Sequence, residues 1–141
     1  MLRYDPRVLL LALLASGAAL AGTPAGTIAG CPRSTLPLPG TAAVYAPSAR
    51  KVVLRYVRAH PKHLKIAGAR TNLVLLMRHW LLSGWVKSEC GLRVWERSLV
   101  VGVYFPAMDP PHNPVGHCSE CAEIRYLLAR TPRGWLVWGL F

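Results

Sequence analysis

The sequence predicts an α+β domain: one N-terminal amphipathic helix packed on a curled antiparallel sheet of four to five strands. Three observations carry that expectation. Apolar residues after Pro47 recur with a period near 3.6, the signature of one buried helix face. Beyond residue 70 the period falls to two, and Gly-containing turns separate the alternating runs.

The elements follow in chain order. Arg3 and Arg7 form a short basic stretch ahead of an uncharged apolar run at residues 8–21 (VLLLALLASGAALA), too short to span a bilayer, which needs about 20 apolar residues. It reads as a signal peptide, residues 1–21, with cleavage after Ala19-Leu20-Ala21. A lipobox-like Ile28-Ala29-Gly30-Cys31 competes and would make Cys31 a lipidated first residue; an uncleaved anchor is the third alternative. Each places the domain outside the cytoplasm, secreted or held on the outer face of the membrane. Residues 22–47 are rich in Pro, Gly, Ala and Thr without apolar periodicity, so a linker is expected there. The domain then occupies 48–141.

Pro47-Ser48 reads as a helix start with Ser48 as N-cap. On a helical projection Val52, Val53, Tyr56, Val57, His60 and Leu64 share one face, whereas Lys51, Arg55, Arg58 and Lys62 lie together on the opposite one. Pro61 ends the regular part, because its ring removes a backbone donor. Residues 73–82 (LVLLMRHWLL) and 85–90 (WVKSEC) around Ser83-Gly84 read as a hairpin, while residues 92–98 fit both a turn and a continuous strand. Leu99, Val101, Val103 and Phe105 alternate with Val100, Gly102 and Tyr104. Residues 123–130 (EIRYLLAR) and 135–141 (WLVWGLF) flank Thr131-Pro132-Arg133-Gly134, a second hairpin. Trp135 and Trp138 have opposite parity and are expected on opposite sheet faces.

A helix followed by an antiparallel meander, ending in the hairpin RTPRGWLVWGLF, resembles the cystatin-like roll of nuclear transport factor-like domains and of small secreted bacterial proteins. The resemblance covers residues 48–141. It implies a pocket between the helix and a concave sheet, but no catalytic motif, because the fold hosts many functions.

Chemically versatile side chains concentrate at residues 109–121 (DPPHNPVGHCSEC). The even set Cys31, Cys90, Cys118 and Cys121 in an exported chain points to disulfides, with three possible pairings. A zinc site is the competing reading: Cys118-x-x-Cys121 with His117, His112 or Cys90 completing a tetrahedron. Thiol–disulfide exchange is disfavoured, since no helix N-terminus follows the pair to lower a thiol pKa. Side-chain carboxylates after Asp5 are limited to Glu89, Glu96, Asp109, Glu120 and Glu123, and no spacing among them argues for paired acid–base chemistry.

Charge is the remaining signal. Seventeen Lys and Arg oppose six Asp and Glu, for a net charge of +11. Between Pro6 and Ser88 there is no acidic residue at all. Such a field attracts anions, and an exported protein seldom meets nucleic acid, which leaves an anionic envelope surface or an acidic protein partner. The expectation is therefore a non-catalytic binding domain working through Lys51, Arg55, Arg58 and Lys62, with no cofactor. The alternative is a small metal-dependent or pocket-based enzyme built on Asp109 to Cys121.

Overall fold

The computed structural model describes residues 27–61, 64–108 and 122–141. It is α+β. Strands β1 (Thr27–Ile28), β2 (Arg70–Leu76), β3 (Ser98–Tyr104), β4 (Glu123–Thr131) and β5 (Gly134–Leu140) form one antiparallel sheet in the order β1-β5-β4-β3-β2. Helix α1 (Ala42–Ala59) precedes β2; α2 (Gly84–Cys90) and α3 (Leu92–Glu96) lie between β2 and β3.

Helix α1 buries Tyr45, Ala49, Val53 and Val57, a repeat of four that keeps one stripe inward. Against this stripe pack Leu99, Val101 and Val103 of β3, Tyr126 and Leu128 of β4, and Phe105. The opposite sheet face is covered as well. Val100, Leu127, Ala129 and Trp138 meet Met77, Trp80, Val86 and Val94 in a second core. Strand β3 is therefore buried on both sides, which explains its near-continuous apolar run SLVVGVY. Trp135 packs on the α1 side and Trp138 in the second core, as their parity requires.

Three expectations are corrected. The helix starts at Ala42 with Thr41 as N-cap residue, so Pro47 and Ser48 lie inside it. Packing outweighs the backbone donor lost at Pro47: Tyr45 is buried, its hydroxyl donates to the Pro39 carbonyl, and its ring meets Trp135 edge-on at 6.1 Å between centroids. Residues 85–90 are helical and Ser83-Gly84 is no hairpin turn, because Val86 and Cys90, four apart, both face the second core. Residues 92–96 form α3, set off from α2 by Gly91 at φ +86°.

The segment ahead of α1 is fixed to the body. Cys31 and Cys90 are joined by a disulfide. Arg97 Nη1 donates to the Thr35 carbonyl at 2.8 Å, Leu36 N to the Arg130 carbonyl at 2.8 Å, and Leu38 is buried in the α1-side core. Residues 31–41 thus pack on the domain, where the composition implies an extended linker.

Candidate functional site

Helix α1 presents Arg50, Lys51, Arg55 and Arg58 outward, all exposed. Their placement follows from the inward stripe: with Ala49, Val53 and Val57 committed to the core and Val52, Leu54 and Tyr56 half-buried at its margin, the side opposite the stripe faces water. Lys62 lies outside the described residues.

Beside this face runs a groove of about 500 Å³ between α1 and β5, bounded by Val52, Arg55 and Tyr56 on one wall and Arg133, Trp135 and Val137 on the other. Its floor is apolar and held in place. Trp135 Nε1 donates to Ser48 Oγ at 3.2 Å, and that hydroxyl lies 3.1 Å from the Tyr45 carbonyl. Tyr56 rests edge-on against Tyr126 at 6.0 Å between centroids. Burial pushes the Tyr126 phenol up to about 12, with Tyr56 adding to the rise, so it stays protonated at neutral pH and supplies no general base.

The electrostatics are one-sided. Among the described residues the side-chain carboxylates are Glu89, Glu96 and Glu123, on α2, α3 and the start of β4. Neither α1 nor β5 carries one. A second depression, bounded by Arg33, Ser34, Thr131, Pro132 and Arg133, continues the cationic track around the β4–β5 turn. A groove on the other side contrasts with it: Arg125 there is paired to Glu123 at 3.1 Å and lies over the Trp80 ring at 5.5 Å, so its charge is already answered within the chain.

Of the residues singled out in the sequence, Lys51, Arg55 and Arg58 share one exposed face, as the helical period predicts. His60 does not line the groove from the apolar face; it is the exposed C-cap residue of α1, its ring stacked on Tyr56 at 4.2 Å and its Nδ1 3.0 Å from the Tyr56 carbonyl. Arg133 and Trp135 join the site only through the fold, since they follow α1 by more than seventy residues. The turn sequence locates Arg133 at a hairpin tip, but nothing in it places that tip beside α1.

The pairing Cys31–Cys90 settles one of the alternatives left open by spacing. It also removes Cys90 as a zinc ligand and commits the Cys31 sulfur, which then has no valence left for a lipid thioether. His112, His117, Cys118 and Cys121 lie outside the described residues. Among the described residues no group of three His, Cys, Asp or Glu side chains is arranged to hold a metal ion. No helix among them is long and apolar enough to cross a membrane. Disulfides form and persist in oxidising environments, and Cys31–Cys90 points in that direction.

Comparison with protein-family models, curated proteins and solved structures found no match. The described residues form an α+β domain with a cationic groove beside α1, whose Arg55 and Arg133 have no carboxylate partner among the described residues.

Proposed function

We propose that the protein is an exported, non-catalytic binding domain that holds an anionic partner on the outer face of α1 and in the adjoining groove. The observation that carries this reading is the pairing of Arg55 and Arg133 across an apolar floor, on a side of the molecule whose described elements α1 and β5 contain no carboxylate. Cationic rims draw an anionic partner in, and the apolar floor then retains it. The N-terminal apolar run and the disulfide support export, with residues 1–21 as signal peptide and the mature protein free or retained on the outer membrane face. The order of helix and meander supports the cystatin-like reading of the fold, with α2 and α3 as an addition on the far face.

The test uses Arg55→Glu/Arg58→Glu in the exported protein, with two probes: vesicles containing phosphatidylglycerol and a soluble acidic peptide. Wild type should bind at least one probe, with affinity falling as salt rises. The double variant should bind about tenfold or more weakly with a shallower salt dependence, since each reversed residue changes local charge by two. Wild type that binds neither probe, or a variant indistinguishable from it, refutes the proposal. The circular dichroism spectrum should be unchanged, because both side chains are exposed and unpaired among the described residues.

A further inference from the structure

At one edge of the sheet, opposite the edge formed by β2, strand β5 is flanked only by the two-residue β1, and only part of its outer side is covered. β1 pairs with it at Gly139 and Leu140, and Ala29 N donates to the Trp138 carbonyl at 3.2 Å. There the pairing stops. Two residues later Cys31 is bound to Cys90 of α2, which packs on the sheet face opposite α1, so the chain is drawn away from the strand line toward that face. Residues 134–137 have no strand beyond them among the described residues.

The register specifies what this edge offers. Thr131 and Gly134 close a hairpin with two residues between them, and Arg130 pairs with Trp135, Ala129 with Leu136 and Leu128 with Val137. Hydrogen-bonded and non-hydrogen-bonded pairs alternate along an antiparallel ladder. A hydrogen-bonded closing pair turns the N–H and C=O of Trp135 and Val137 outward. The side chains of the same two residues line the groove against α1. Backbone groups and an apolar recess are thus offered side by side, between Arg55 on the helix and Arg133 at the turn, with Arg33 beyond it. The usual protections of a sheet edge, an inward-pointing charge or a proline, are missing from residues 134–137.

We propose that an extended acidic segment of a partner protein adds as a strand to the outer edge of β5 at residues 134–137, its carboxylates meeting Arg55 and Arg133 and an apolar side chain entering the groove against α1. The inference rests on the anion-binding reading above and sharpens it to one class of partner. The edge spans four residues, about 13 Å at 3.3 Å per residue, so a core of four or five residues suffices. An antiparallel segment would continue the line of β1 beyond the point where the disulfide pulls the chain aside. A lipid headgroup satisfies the arginines but leaves the outward amides unused, whereas a polypeptide answers both, and this favours the peptide.

The experiment compares four ligands for the full exported chain: an eight-residue peptide alternating Glu and Val, two versions of it N-methylated at alternate residues so that one or the other pairing edge loses its donors, and phosphatidylglycerol vesicles. N-methylation preserves charge and side chains but removes strand pairing. Strand addition predicts that one methylated version binds about tenfold or more weakly than the parent, the equivalent of losing about two backbone hydrogen bonds, while the other retains most of the affinity. It also predicts slower amide exchange at Trp135 and Val137 in the parent complex, and weaker binding of the parent peptide by Arg133→Glu. Equal affinity for all three peptides, or unchanged exchange at both amides, overturns strand addition and leaves simple charge attraction standing. Binding to vesicles alone overturns it in favour of a lipid partner. Failure of every probe removes the anion-binding reading itself.

Discussion

Tyr126 shows how burial sets the chemistry of a single group. Its ring is packed in the α1-side core, and desolvation of the phenolate, followed in size by the influence of Tyr56, raises its pKa from 10.0 to about 12. In the unfolded chain the group ionises near its ordinary value, so between pH 10 and 12 the unfolded state binds fewer protons and stability falls as pH rises. The loss should be on the order of 1–2 kcal/mol across that window and absent below pH 9. Urea unfolding at pH 9 and pH 11.5 measures it; Tyr126→Phe should have a smaller difference between the two pH values than wild type. Gly102 makes a different residue-scale point. A Cβ there would stand 2.5 Å from Asn72 Oδ1 and 2.9 Å from Glu123 Oε1, beneath the hydrogen bond by which Asn72 Nδ2 donates to Glu123 Oε2 at 2.9 Å. The absent side chain is what allows this bridge to cross β3.

At the scale of elements, the junction of α2 and α3 depends on one residue. Gly91 has φ +86° and ψ 166°, a region essentially reserved for glycine, and a Cβ there would meet nothing within 4 Å. Gly91→Ala should therefore cost about 1–3 kcal/mol through backbone strain alone, with no steric contribution. A drop in the urea midpoint with an unchanged slope is the expected result; full stability would show that the junction can be rebuilt without the left-handed turn. Elements differed in how far they could be read ahead of the structure. β3, β4 and β5 were legible because their alternation and turn residues are local signals, and the exposed basic side of α1 was legible because helical period alone separates its faces. The start of α1 was not, since the proline rule is local whereas the packing of Tyr45 on Trp135 joins residues ninety apart. Residues 85–90 look like a strand only if Ser83-Gly84 is taken as a hairpin turn; their Val86–Cys90 spacing is helical, and the second core decides for α2. The groove was illegible for the same reason as the start of α1: Arg55 and Arg133 belong to one site only after β5 has folded beside the helix.

At the scale of the whole molecule, the Cys31–Cys90 disulfide closes a loop of 59 residues that contains α1 and β2. Chain-entropy arguments assign such a cross-link about 4 kcal/mol, a large share of the 5–15 kcal/mol typical of a folded protein. Reduction, or Cys31→Ser/Cys90→Ser, should lower the stability of the protein by up to about that amount, read as a fall in urea midpoint. Intact mass before and after reduction should show a gain of two hydrogens for this bond. Unchanged stability after verified reduction would mean that packing of residues 31–41 alone holds the segment in place.

The two cores divide the tryptophans unequally. Trp80, Trp85, Trp95 and Trp138 belong to the face covered by α2 and α3, and Trp135 alone lies on the α1 side, at the wall of the groove. The indole population is therefore split by the sheet into a silent majority and a single reporter. Occupancy of the groove registers as a change in one-fifth of the fluorophores, against a background that an incoming partner never touches.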